Sequence, residues 1–161
     1  MREYLSLRLS EADTRAHFID PILGILGYRA VGDIRREVPV PATKEYLDYE
    51  LRVAGKPQVI VEAKALRQPI TDQHAAQCVQ YASILGVRWC LITNGAAWAV
   101  YNGHARGPLA DKKVAVVHLD GDEQATTEAW SVLSLFSRDA LAQAAPLTRL
   151  LTDCVVADEM N

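Results

Sequence analysis

The segment Gln58-Val59-Ile60-Val61-Glu62-Ala63-Lys64-Ala65-Leu66 is strongly apolar and β-branched at its centre, yet it carries a glutamate and a lysine two residues apart. A β-branched run of this kind reads as a strand inside a sheet. An ionised side chain in such a strand is costly unless it is paired or bound to a metal ion. Any fold built around this strand must therefore supply partners for Glu62 and Lys64.

The chain has 161 residues, of which 50% are hydrophobic and 23% charged. That length and balance fit a single globular domain over 1–161, with a core at about 10–120 and C-terminal helices at about 123–157. No apolar run approaches the roughly 20 residues of a membrane span. The opening Met1-Arg2-Glu3-Tyr4 is unlike a signal peptide, so the expectation is a cytoplasmic protein with no membrane association. Cys78, Cys90 and Cys154 are odd in number and lack CxxC spacing, which excludes a disulfide framework or a zinc site and leaves buried thiols. A net charge of -3 argues against a protein that merely coats nucleic acid, while leaving room for an acidic site with a local basic rim.

The spacing predicts a helix over about 10–26, capped by Ser10, with Asp13 completing a capping box, a kink at Pro21 and a stop at Gly27. Val38 and Val40 alternate in a short strand ending at Pro41, and a second strand covers about 45–53. The turn Ala54-Gly55-Lys56-Pro57 pairs that strand with Gln58 to Ala65 as a hairpin. Thr71 to Leu85 has helical spacing. Val87 to Thr93, the turn Asn94-Gly95 and Ala97 to Tyr101 form a second hairpin, followed by a strand over Val114 to His118. From about Glu123 the chain reads as helical, in two pieces separated near Pro146. The order is therefore αβββαβββαα, which implies a mixed sheet flanked by helices.

Strand alternation places the charges. Ile60, Glu62 and Lys64 share one face of the third strand, and Tyr46, Asp48, Glu50 and Arg52 share a face of the second, so the hairpin can set Asp48 opposite Glu62. Two converging carboxylates are hard oxygen ligands of the kind Mg²⁺ prefers while retaining waters. Lys64 can hold a water or a phosphate oxygen as a point charge. That combination suits hydrolysis of a phosphodiester, in which the metal activates water and neutralises the phosphate. The plain alternative is a structural Glu62–Lys64 ion pair beside a solvated Asp48.

On the following helix Gln77 and Tyr81 are i,i+4 neighbours, with His74 a turn earlier on the same stripe. They can orient the lysine or contact a phosphate, or they can simply form the polar edge of an amphipathic helix. Glu11 and Arg15 are also four apart, either as a surface pair or with Glu11 reaching the site as an outer carboxylate. No GxxxxGK[ST] loop and no HExxH spacing occur in these residues. Trp89 and Trp98 flank the Asn94-Gly95 turn and pack the hairpin or stack on bases. Trp130, Val132, Leu133 and Phe136 read as the buried face of a late helix.

Asp48, then Glu62-Ala63-Lys64, then Gln77-Cys78-Val79-Gln80-Tyr81, in an αβββαβ order, resemble the PD-(D/E)xK nuclease superfamily. Glu11-Ala12-Asp13-Thr14-Arg15, Phe18-Ile19-Asp20-Pro21-Ile22-Leu23, Leu26-Gly27-Tyr28 and Thr93-Asn94-Gly95 with Trp98 narrow the likeness to the N-terminal nuclease domain of type I restriction enzyme R subunits. It covers about 10–102, and more weakly 130–150. The resemblance implies a restriction-endonuclease-like α/β core and a Mg²⁺-dependent DNA endonuclease, with Mn²⁺ as a substitute ion. It implies Asp48 and Glu62 as metal ligands, Lys64 as the residue assisting water, Gln77 and Tyr81 as supports, and Glu11 as the acid of the first helix. Leu47 stands where the superfamily motif has proline, and the motor that normally follows in the family is missing from these residues. DNA is the expected partner, held by a rim of Arg35, Arg36, Lys44 and Arg67, together with a separate motor or specificity subunit or a second copy of the chain. The alternatives are a catalytically silent DNA- or protein-binding module of the same fold, and an RNA nuclease.

Overall fold

The computed structural model describes residues 8–143. Ser10 caps the first helix: its hydroxyl accepts from the Asp13 N–H at 3.1 Å and donates to the Asp13 carboxylate at 2.7 Å, so the reciprocal box is replaced by a direct side-chain bond. The helix then runs through α1 (Glu11–Thr14), a π-helical turn (Arg15–Ile19) and α2 (Asp20–Ile25). Pro21 explains the wide turn. It has no N–H to return to the His17 carbonyl and its ring would crowd that oxygen, and the turn just before it closes instead through Asp20 N–H to Arg15 O. The irregularity therefore sits ahead of Pro21 and not at it. Gly27, at φ +89°, ends the segment.

Six strands follow in a single sheet of order β1-β2-β3-β4-β5-β6: β1 (Ile34–Pro39), β2 (Tyr46–Val53), β3 (Lys56–Ala63), β4 (Trp89–Thr93), β5 (Ala97–Asn102) and β6 (Lys113–His118). Only β3 and β4 are parallel, as their connection through α3 (Asp72–Leu85) requires. The β2–β3 turn is tighter than the sequence suggested: Val53 pairs with Lys56, and Ala54 and Gly55 both take left-handed conformations at φ +49° and +76°. A short helix α4 (Leu109–Lys112) precedes β6, a segment without the length or periodicity to announce itself. Of the late helices, α5 (Glu123–Ser134) is capped by Asp122, and the break comes at 135–137, where Ser137 caps α6 (Arg138–Ala142). Pro146, Cys154 and the rest of the expected terminal helix lie outside the described residues.

Helices cover both faces of the sheet. On one face Tyr49, Leu51, Val59, Val61, Leu91, Trp98 and Val100 pack against Ile22 and Leu23 of α2 and against Ala129, Val132 and Leu133 of α5. On the other, Ile60, Cys90, Ile92 and Ala99 pack against Ala75, Cys78, Tyr81 and Ala82 of α3. Every residue from Leu91 to Val100 is buried, including the polar Thr93 and Asn94 of the turn, so both strands of this central hairpin are covered on both faces. Trp98 is wholly buried and Trp89 meets Phe136 edge to face at 5.4 Å, so both tryptophans are core residues and not platforms for bases. Cys78 and Cys90 are free, buried thiols.

Alternation fails at one place. Leu47 and Tyr49 share parity on β2, yet Leu47 packs in the α3 layer and Tyr49 in the α2 layer. Opposite them on β1, Glu37 has φ +50°. The β1–β2 ribbon turns over at this point, and Asp48 lies on the turnover.

Candidate active site

The β2–β3 register pairs Tyr49 with Val61; Asp48 and Glu62 lie one residue beyond that pair, and the Asp48 carboxylate is close enough for its charge to act on Glu62. Asp48 is held from the site strand itself: its Oδ2 accepts the Ala63 N–H at 2.7 Å. Glu62 and Asp48 are 7% and 8% exposed, a degree of burial that ionised carboxylates tolerate only with compensation. Lys64 follows the last residue of β3, where its N–H continues the parallel ladder to Thr93 O at 2.8 Å. Its Nζ donates to Glu62 Oε1 at 3.0 Å.

The compensation is incomplete. Glu62 Oε2 is buried with no hydrogen-bond partner. Burial, then the neighbouring Asp48 carboxylate, push the Glu62 carboxyl up to about 7, against the pull of Lys64. Asp48 is also raised, by burial, despite the Ala63 N–H, Arg15 and Lys64. Glu11 is raised by burial and then by Asp48. These three acids feel one another, and together they want a positive charge. Among the described residues no three such side chains converge tightly enough to cage an ion by themselves. An ion here would rest on Asp48 and the orphaned Glu62 oxygen and keep several waters, which is the habit of Mg²⁺.

The raised Glu62 carboxyl has a consequence for stability. The unfolded side chain titrates near its ordinary 4.5 and the folded one near 7, so between those values the folded state holds a proton that the unfolded state lacks. Stability therefore falls as pH rises through that window, by about 3 kcal/mol in total at roughly 1.4 kcal/mol per unit. Glu62→Gln, which mimics the protonated acid, should match the parent at pH 5 in chelator and exceed it at pH 8. Chemical denaturation at both values reads the difference, and a gap that does not widen with pH would show that the ionised acid is not strained.

Two tethers hold the loop after Lys64, one to α1 and one to the β4–β5 turn. The Thr14 hydroxyl, wholly buried, accepts the Leu66 N–H at 2.8 Å, which ties the loop after Lys64 to the helix carrying Glu11. Asn94 donates through Nδ2 to Gln68 O at 2.8 Å, while its Oδ1 accepts the Ala96 and Ala97 N–H groups. Gly95, at φ +82°, closes the turn, and a Cβ there would lie 3.0 Å from Thr14 Cγ2 and 3.2 Å from Phe18 Cβ. Only glycine suits both the angle and the approach. The Thr93-Asn94-Gly95 segment is thus a brace for the site.

Gln77 and Tyr81 lie on α3, over the face that carries Ile60. Gln77 Nε2 donates to the Tyr81 hydroxyl at 2.7 Å. The charges of Glu62 and Lys64 both influence Tyr81, although neither Gln77 nor Tyr81 hydrogen-bonds to them among the described residues. His74 is used elsewhere: it forms a capping box with Thr71, with the Thr71 N–H donating to its Nδ1 at 3.3 Å. All four residues of the proposed rim, Arg35, Arg36, Lys44 and Arg67, are exposed. Arg36 is engaged, paired with Asp20 at 3.0 Å and lying 5.6 Å from the Tyr49 ring centre.

Of the two readings of the Glu11–Arg15 spacing, the local ion pair does not form among the described residues, while Glu11 feels the charges of Asp48 and Lys64. Arg15 reaches across to β1 and β2, with Nη1 at 2.5 Å from Glu37 Oε1 and 3.3 Å from Asp48 Oδ1. Its role was not readable from sequence, because i,i+4 spacing suggests a local pair and nothing local points to Glu37.

A mixed six-stranded sheet with a parallel β3–β4 crossover through α3, and acids at the end of β3, defines a restriction-endonuclease-like α/β domain. The chain belongs to the family described as the type I restriction enzyme R protein N terminus (HSDR_N), whose model matches residues 10–109. The fold is similar to a fragment structure of a protein assigned as the HsdR subunit of a type I restriction enzyme from Vibrio vulnificus YJ016, with a TM-score of 0.52 and 21% identity over 78% of this chain. The chain spans about a quarter of that structure, 26% of its length. Among curated proteins none matches. No helix of the described residues is long and apolar enough to cross a membrane.

Proposed function

We propose that this domain is a Mg²⁺-dependent DNA endonuclease module of the kind that serves type I restriction R subunits, with Asp48 and Glu62 as metal ligands. The carrying observation is the buried Glu62 Oε2 without a partner, opposite Asp48 and beside Lys64. A bound Mg²⁺, with Mn²⁺ as a substitute, would lower the pKa of an attacking water and neutralise charge on a phosphate. The chain's own groups do the rest. Asp48, fixed by the Ala63 N–H, presents its carboxylate in one orientation. Lys64, on the same strand face as Glu62, holds a water or a phosphate oxygen at the end of β3. Gln77 and Tyr81, bonded to each other, line the α3 side. Glu11 adds negative charge from α1.

One such site cuts one strand, so double-strand cleavage calls for a second copy, a second event, or delivery by a motor or specificity subunit. The test is a cleavage assay on supercoiled plasmid, single-stranded DNA and RNA side by side, with Mg²⁺, Mn²⁺ or chelator. Metal-dependent nicking of plasmid is expected, without ATP and weakened by salt, since phosphate contacts release counterions. Replacing Arg35, Arg36, Lys44 and Arg67 together with glutamine should flatten the slope of DNA affinity against salt; an unchanged slope puts the DNA path elsewhere. Faster cleavage of RNA would make this an RNA nuclease, and metal binding with no cleavage of any substrate would make it a silent binding module.

A further inference from the structure

We infer that Arg15, held by Glu37, is a positioning residue that sets the orientation of Asp48 for catalysis. This rests on the nuclease proposal above and adds a residue pair that the acidic motif does not contain. Arg15 Nη1 lies 2.5 Å from Glu37 Oε1 and 3.3 Å from Asp48 Oδ1, while Nε donates to the Tyr49 hydroxyl at 3.3 Å. The guanidinium sits 4.9 Å from the Tyr49 ring centre, so a face contact fixes its plane as well as its position. Tyr49 is immobilised in turn: the side chain is fully buried and its hydroxyl donates to Asp20 Oδ1 at 2.9 Å. Asp48 thus has its two oxygens set from opposite sides, Oδ2 by the Ala63 N–H of the site strand and Oδ1 by Arg15.

Two departures from regular structure serve this arrangement. Arg15 opens the π-helical turn, a widening that recurs at functional positions in helices. Glu37 holds a left-handed backbone at φ +50° inside β1, which a non-glycine residue keeps only where its surroundings impose it. That conformation accompanies the turnover of the β1–β2 ribbon, and the Glu37 carboxylate meets Arg15. An ordinary surface ion pair needs neither feature. Because Glu37 takes the shorter bond, Arg15 stays anchored whether or not Asp48 turns one lone pair to a cation.

The experiment compares the full chain with Arg15→Met, Arg15→Lys and Glu37→Gln by plasmid nicking kinetics and by Mn²⁺ calorimetry, after thermal melts confirm folding at the assay temperature. Arg15→Met should lower kcat about 100-fold with KM for DNA within about threefold, the pattern of a lost transition-state alignment. Arg15→Lys should recover part of that loss, since an ammonium can reach one carboxylate without the planar fork. Glu37→Gln should lose about tenfold without touching Asp48. Should Arg15→Met not fold, the other two carry the test. A raised KM with unchanged kcat would make Arg15 a phosphate contact and overturn the inference, as would all folded variants matching an active parent. A parent that neither binds Mn²⁺ nor cleaves would overturn the nuclease proposal and this inference with it.

Discussion

Asp48→Ala is expected to lose Mg²⁺ binding and cleavage together. Two carboxylates bind a hard divalent ion far better than one, and the structure offers no third ligand to take over among the described residues. With Asp48 gone, the ion would keep only the Glu62 oxygen and water, and affinity should fall by about 100-fold or more, with cleavage falling at least as far. The variant should stay folded. The lost carboxylate accepted the Ala63 N–H, at a cost of about 1–3 kcal/mol if that donor is left dry. Against this, the like charge that raises Glu62 disappears, so the Glu62 carboxyl should titrate closer to its ordinary range. Calorimetry with Mg²⁺ or Mn²⁺ settles the assignment: unchanged binding in Asp48→Ala would place the ion elsewhere. Glu62→Ala should behave alike in metal affinity, since it removes the orphaned oxygen.

Lys64→Ala separates chemistry from binding. Lys64 is a cation beside two anions, so its removal should leave metal affinity intact or slightly tighter, while cleavage falls by about two to four orders of magnitude, the usual scale for a positioned charge acting on a developing anion. DNA affinity should hardly change, because one lysine is a small part of a phosphate interface. Single-turnover nicking at saturating Mg²⁺ is the measurement. Equal rates in parent and variant would refute a catalytic Lys64 and leave the Glu62–Lys64 contact as a structural pair.

Much of the site was legible because strands and helices impose fixed periods. The apolar run around Glu62 and Lys64 became β3, the turn at Gly55 made the hairpin, and its register carries β2 and β3 past Tyr49–Val61 toward Asp48 and Glu62. A 3.6-residue period set Gln77 against Tyr81 on α3, and they bond. Ser10 marked a helix start through a local hydrogen bond, a property of a few adjacent residues, and the helical spacing from Thr71 became α3.

What the tertiary structure decided were the meetings between residues far apart in the chain and the breaks in periodicity. Strict alternation placed Tyr46 with Asp48 on one face of β2, but the ribbon turns over at Asp48 and Glu37. The i,i+4 spacing offered Glu11 as a local partner for Arg15, whereas a widened helical turn and a buried Tyr49 draw it to Glu37 and Asp48. Asn94-Gly95 spelled a turn; only packing showed that it braces Gln68 and abuts Thr14. The pattern has a single physical cause. Periodicity reports which way a side chain points along its own element, while a long-range partner is chosen by the packing of layers, which no local run of residues encodes.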